Sequence, residues 1–334
     1  MDNDKTEIVF DVAPGNTFAQ LAEKLQEQGL IRNAWVFSKY ARFKNQTSKL
    51  KIGEYSLNKA MSPNQILTKL TSGKSIARRL TIAEGLNIFD ISEIIEKTGF
   101  GKKEEFLKLV NDKEFIKSLT GENLDSLEGY LYPETYMITK YENLKSIITQ
   151  MVKRFITVWN DVEIAYKPIE WPRNKLITFA SIVEKETGAG FERPLVSSVF
   201  HNRLKKNMKL QTDPTVLYGV AVRDSKMPTN ISRKDLLTPT KYNTYTNYGL
   251  PPTPISNPGK DAIVAALRPA ESKYLYFVSK NDGTHIFSES LIAHNAAVKT
   301  FQMNPKAREG KSWRDLRKRT QNLPVQPPPE KPKM

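Results

Sequence analysis

One segment of this 334-residue chain carries its sharpest chemical signal: Phe179-Ala180-Ser181-Ile182-Val183-Glu184-Lys185-Glu186-Thr187-Gly188. An apolar helical stretch ends there in a turn with two carboxylates before a glycine stop. Successive helical residues turn by about 100°, so Glu184 and Glu186 project about 200° apart, on opposite margins of the apolar stripe. They cannot form a close pair. At most one of them points into a given cleft, and periodicity alone does not choose which. Both can also be read as solvated end-of-helix residues, one of them pairing with Lys185 or a nearby arginine. Against that reading, carboxylates at a helix C-terminus face the negative end of its dipole, a cost that hints at use.

Other chemistries are narrowed by what is missing. Gly73-Lys74-Ser75 ends like a phosphate-binding loop, but that motif needs a glycine where Thr68 stands. Cysteine is absent, which excludes disulfide scaffolds, thiolate metal sites and cysteine nucleophiles. His201, His285 and His294 are too scattered for paired metal-ligand spacing, so no metal is expected. Both His285 and His294 read as hydrogen-bonded structural residues.

The elements that must position the carboxylates follow from hydrophobic periodicity and stop signals. Ile8–Val12 reads as a strand, then Thr17 and Asn33 start helices, Gly53–Leu57 is a short strand, and a helix follows Ser62-Pro63. That βαα-βα run of about 70 residues forms a small domain. A strand near 77–83 and helices near 87–98 and 102–111 come next, ahead of the aromatic patch Glu128-Gly129-Tyr130-Leu131-Tyr132-Pro133-Glu134-Thr135-Tyr136. Long helices are expected near 144–160 and 173–185, then one across 194–205. Residues 211–258 are rich in Asn, Thr, Tyr and Pro with little regular period, a length at which loops are usually functional. A helix opens at Pro258-Gly259. Asn281-Asp282-Gly283 signals a hairpin between 274–279 and 284–288, and a last helix covers 291–302. No internal repeat is visible.

Charge is unevenly spread. The chain holds 51 Lys/Arg and 36 Asp/Glu, a net +15, and +7 of this falls between Lys299 and Met334 with six of the twenty prolines. Residues 305–334 therefore read as a solvated basic tail. The remaining +8 over about 300 residues does not make a nucleic-acid protein, and no nucleic-acid motif is present. No apolar run approaches the roughly 20 residues of a membrane span.

Ala180–Thr187 resembles the active-site helix of the endolytic murein transglycosylases, the YceG-like family. Four further segments resemble the same family: Leu210–Gly219; Tyr242–Tyr245 with Gly249-Leu250-Pro251-Pro252; Ile255 through Pro258-Gly259; and Tyr274–Val278 followed by His285, Phe287 and His294-Asn295. The aromatic patch fits too, and the resemblance runs in order over about residues 7 to 302. It implies an α+β fold, with a small LysM-like N-terminal domain (1–75) and a larger mixed α/β catalytic domain (76–304) whose active-site helix lies near 173–187. The implied activity is cleavage of MurNAc–GlcNAc β-1,4 bonds within peptidoglycan strands, leaving 1,6-anhydro-MurNAc ends and ending or releasing nascent strands. The catalytic acid maps onto Glu186. Gln211, Thr212, Asp213, Asn243 and Tyr245 become candidate substrate contacts, and Glu184 is the runner-up acid or otherwise a substrate-orienting group; bracing of the loop is the competing role for Asn243, a turn for Asp213-Pro214 and the core for Tyr245. No cofactor is expected. The implied location is the outer face of the bacterial cytoplasmic membrane, with a single-pass anchor that this sequence does not contain. Peptidoglycan synthases (penicillin-binding proteins) are the implied partners.

One carboxyl suffices for this chemistry. Ordinary glycosidases use a second carboxylate as nucleophile or base. In a transglycosylase the substrate's N-acetyl group can stabilise C1, and its C6 hydroxyl replaces water. Glu186 must then hold a proton near neutral pH, so it should face a partly apolar cleft with Lys185 turned away. A hydrolytic muramidase and a non-catalytic wall-binding module that positions synthases are the alternatives.

Overall fold

Alternating burial along Ile8–Val12 makes β1, which puts Phe10 and Val12 inside. The computed structural model describes residues 4–166 and 170–303. The tail expected over 305–334 lies outside the described residues. Packing divides the chain into two units, Met1–Thr81 with Thr135–Ile147, and Ile82–Glu134 with Ile148–Met334.

In the first unit, Thr17 caps α1 (Phe18–Glu27) through a reciprocal bond with Gln20, and Asn33 caps α2 (Ala34–Phe43) by accepting from the Val36 amide. β2 (Gly53–Leu57) pairs antiparallel with β1, Ile8 opposite Leu57 and Val12 opposite Gly53. Ser62 caps α3 (Pro63–Ser72), with proline in its favoured first turn. Leu21, Leu25, Phe37, Tyr55, Ile66 and Leu70 close one core. β3 (Ala77–Thr81) pairs antiparallel with β4 (Thr135–Thr139), which the sequence reading had not marked as a strand. Beyond β4, Lys140 and Tyr141 both reach Asp11.

The second unit is mostly helical. Asn87 caps α4 (Ile88–Lys97); α5 (Lys103–Val110) and α6 (Lys113–Thr120) follow, the last unexpected although Asp112 and Gly121 cap its two ends. The long α7 (Leu144–Ala165) buries Met151, Phe155 and Val162, with the Phe155 ring 4.7 Å from that of Tyr130. Every residue from Leu176 to Val183 in α8 (Arg173–Glu186) is buried, so this helix is the unit's axis. It packs on α9 (Arg193–Lys205), α10 (Asp213–Asp224) and α12 (Lys260–Leu267). Helices α10 and α11 (Arg233–Leu237) fall inside the stretch expected to be irregular. β5 (Tyr276–Ser279) and β6 (His285–Ser288) form the expected hairpin, and α13 (Leu291–Phe301) ends the described chain.

Gly129 sits where the backbone is squeezed between α8 and the loop after residue 242. Its φ is +86°, and an added Cβ would lie 2.6 Å from Pro254 and 2.8 Å from Ile177. Gly129→Ala combines a left-handed backbone cost with overpacking, so it should destabilise the protein by about 2–4 kcal/mol. Thermal melts of the two proteins check this, the expected loss being several degrees in Tm.

Candidate active site

The last turn of α8 sends three consecutive side chains in three directions. The Glu184 carboxylate is nearly buried, with 6% of the side chain exposed; it accepts from Arg193 Nη2 at 2.9 Å and from the Gly259 amide at 3.1 Å. Lys185 donates to the Gly85 carbonyl at 3.0 Å. Glu186 is half-buried and accepts a hydrogen bond from the Thr212 hydroxyl. The helix stops because Thr187 turns extended (φ −138°, ψ 133°) and its hydroxyl accepts from the Ala189 amide.

Burial pushes the Glu186 carboxyl up to about 7. The Thr212 hydroxyl acts in the opposite direction by bonding the ionised form; the Asp213 charge raises the pKa further and Arg203 lowers it. Glu184, by contrast, is tied into an ion-paired corner: Arg193 also approaches Glu84 Oε2 at 3.4 Å, and a side chain at Gly259 would collide with the Glu84 carboxylate. The two glutamates diverge as helical spacing requires. Glu184 braces the starts of α9 and α12, and Glu186 faces the loop that opens α10.

That loop is built with unusual density. Gln211 is exposed with φ +52°, and its amide donates to the Thr244 carbonyl at 3.2 Å. The Thr212 amide donates to Thr244 Oγ1 at 3.1 Å, which also shares a bond with Thr215 Oγ1 at 2.9 Å. Asp213, exposed in the first turn of α10, accepts from the Tyr245 hydroxyl at 2.6 Å. Burial and the Asp213 charge raise the Tyr245 pKa, so this phenol stays a donor. Asn243 is fully buried. Its amide nitrogen donates to the Asp235, Leu236 and Thr238 carbonyls, and its Oδ1 accepts from the Tyr245 amide at 2.9 Å. The Asn243 side chain thus holds the loop from inside, whereas Gln211, Asp213 and the Tyr245 edge reach solvent.

Two participants were not singled out from the sequence. Arg203 is 8% exposed and is held by carbonyls, Nε to Leu275 O at 2.6 Å and Nη1 to Leu210 O at 2.8 Å, with its guanidinium over the Tyr276 ring. It fixes the residue just before Gln211. In the sequence it reads as one of several basic residues near a helix end, and only burial sets it apart. Glu128 is the other: fully buried, it accepts from the Ile88 amide, the Tyr218 hydroxyl and the Asn257 side chain, and burial pushes it up to about 8.

His285 Nδ1 lies 2.7 Å from Glu192 Oε2, and His294 stacks on Tyr276. Among the described residues no group of three or more His, Asp or Glu side chains is arranged to hold a metal. An open pocket of about 670 Å³, lined by residues including Trp171, Lys175, His201 and Lys205, lies against α9. Lys175 and Glu186 are eleven residues apart on α8, about 16 Å along its axis, so this pocket does not surround Glu186.

Folded-state Glu186 holds its proton far above the usual carboxylate value of 4.5, so its protonated form favours folding. That contribution is complete below pH 4.5 and is lost as pH rises through about 7. Glu186→Gln removes the titration. Relative to wild type it should gain up to about 3 kcal/mol between pH 5 and pH 8, seen as a rising Tm difference.

The YceG-like family model matches residues 10–300. An endolytic murein transglycosylase of Bacillus subtilis (strain 168) is 35% identical over 313 residues, covering 89% of this chain and 85% of that protein. One from Streptococcus pneumoniae serotype 2 is 32% identical over 307 residues, 83% of this chain but 55% of that longer protein. A 2.6 Å crystal structure of a YceG-like protein from Listeria monocytogenes aligns with a TM-score of 0.59 at 36% identity, over 88% of this chain and 99% of that one. No helix among the described residues is long and apolar enough to cross a membrane.

Proposed function

The chain belongs to the YceG-like family, and from that premise we propose that it cleaves MurNAc–GlcNAc β-1,4 bonds inside peptidoglycan strands, with Glu186 serving as both acid and base. Relatives at 32–35% identity carry the name endolytic murein transglycosylase, and the activity is of the lyase type. The observation that carries the assignment to Glu186 is a carboxyl pushed up to about 7 by burial, on a residue that keeps partial exposure, with a hydroxyl donor on one oxygen.

In the proposed sequence, protonated Glu186 gives its proton to the glycosidic oxygen as the C1–O bond breaks. The substrate's N-acetyl oxygen stabilises C1. The resulting Glu186 carboxylate, eased by Thr212 and the Arg203 charge, takes the C6 hydroxyl proton while O6 bonds to C1. The proton returns to Glu186, no water enters, and a 1,6-anhydro end results. Gln211, Asp213 and Tyr245 are proposed to contact sugar hydroxyl and N-acetyl groups from the exposed rim of the same loop. Glu184 and Asn243 are assigned supporting roles, because their polar atoms already bind protein partners.

A murein substrate requires the catalytic unit to work outside the cytoplasmic membrane. Strand termination, partnership with penicillin-binding proteins and a single-pass anchor extend this reading on the family resemblance. The β1-α1-α2-β2 arrangement, two helices between paired antiparallel strands, supports a LysM-like assignment for the first 75 residues.

Digestion of purified murein by wild type and Glu186→Gln side by side tests the mechanism. The variant should lose about 10²–10⁴-fold in rate, and wild-type products should be one water lighter than hydrolytic ends by mass spectrometry. Unchanged cleavage by the variant overturns the role of Glu186; hydrolytic ends point to a muramidase. Because the acid must be protonated, the rate should fall as pH rises through about 7. Thr212→Val removes the bond that favours the carboxylate, so that alkaline limb should move to higher pH.

A further inference from the structure

Helix α2 has two apolar faces, and the fold uses one. Phe37 and Ala41 point into the core at 3% and 0% exposure. On the other side Trp35 is 69% exposed, Val36 56% and Phe43 83%, with Ile52 nearby in sequence at 51%. Counting 100° per residue from Trp35, the outward arc from Arg42 (−20°) through Lys39 (40°) and Phe43 (80°) to Val36 (100°) spans about 120°. Phe37 and Ala41 fall at about 200° and 240° on the same count. A helix of this sort, aromatic and basic together on its free face, has the composition of an interfacial helix.

The charge of the surrounding stretch is all of one sign, and two of its cations, Lys39 and Arg42, stand on the outward arc of α2. Between Glu27 and Glu54 the chain has no carboxylate and six cations: Arg32, Lys39, Arg42, Lys44, Lys49 and Lys51. All six are exposed, and none is ion-paired among the described residues. The Lys39 ammonium lies 5.3 Å from the Trp35 ring centroid, over a ring face that a sugar would need for stacking. A neutral glycan does not answer Lys39 and Arg42 in a stretch free of carboxylates, and a fully hydrated polyanion does not answer exposed Trp, Phe, Val and Ile. An anionic bilayer surface answers both: aromatic rings settle at the headgroup boundary and cations meet lipid phosphates.

We propose that the α2 face, centred on Trp35, Lys39, Arg42 and Phe43, docks flat on an anionic lipid bilayer. About 15 Å of helix would lie in the plane of the headgroups. The proposal concerns the first unit alone and is independent of the chemistry assigned to Glu186.

Co-sedimentation of the full chain with vesicles tests it, comparing phosphatidylglycerol-containing vesicles with pure phosphatidylcholine. Wild type should bind the anionic vesicles and not the zwitterionic ones. Lys39→Glu with Arg42→Glu, and separately Trp35→Ala with Phe43→Ala, should each weaken binding by about tenfold or more at low salt. Trp35 should also report insertion: vesicles should shift wild-type tryptophan emission to the blue, and Trp35→Phe should lose most of the shift. The substituted side chains are exposed, so unchanged melting temperatures certify the fold. Absence of binding to anionic vesicles overturns the proposal. So does binding equal in wild type and both double variants, as expected if the basic tail alone drives it, or a loss confined to the charge variant. Preference for a soluble polyphosphate over vesicles, kept by Trp35→Ala with Phe43→Ala, overturns it in favour of a wall polyanion.

Discussion

Everything at the site depends on a carboxyl group placed where a helix would least favour its charge. Glu186 ends a helix whose preceding residues are buried from Leu176 to Val183, so its carboxyl meets apolar surroundings and the negative end of the helix dipole together. Both effects disfavour the anion and keep the proton on. Thr212 and Arg203 work in the opposite direction, and the balance falls near neutrality. For the proposed acid–base role, a carboxyl shifted much further would not release its proton and one left at its usual value would not hold it, so that role requires the intermediate position that opposed influences produce.

That balance can be held only if Thr212 stays in place. It is held from behind. Thr244 accepts from the Thr212 amide, Asn243 ties the backbone of 235–238 to that of Tyr245, and Arg203 grips the Leu210 carbonyl. Polar groups buried in such numbers are costly unless matched, and here they are matched by one another. The loop therefore arrives at Glu186 already shaped.

The sequence made some of this readable and hid the rest for identifiable reasons. Periodicity and caps were enough for α8, the hairpin at Asn281-Asp282-Gly283 and the first two helices. The 200° separation of Glu184 and Glu186 was legible as well, although the choice of Glu186 as the candidate acid came from the family resemblance. Helix α10 was missed because Asp-Pro and Gly219 break its pattern; in the fold, Pro214 occupies the first turn and Gly219 is needed because a Cβ there would meet Thr240 Oγ1 at 2.7 Å. The partner of β3 was invisible, since Thr81 meets Thr135, 54 positions further along the chain. Arg203 was lost among lysines, because burial is a property of the fold and not of a residue's type.

Glu128 shows why a raised pKa by itself would have misled. It too is pushed upward, to about 8, and again burial is the first cause. Its oxygens are engaged by the Ile88 amide at the start of α4, by Tyr218 on α10 and by Asn257 just before α12, so it fastens three helices at a point solvent does not reach. Glu186 has the same kind of shift but keeps partial exposure beside a rim of Gln211, Asp213 and Tyr245. Burial sets when a carboxyl can carry its proton. Whether anything can receive it depends on access, and of these two residues Glu186 is the one with partial exposure.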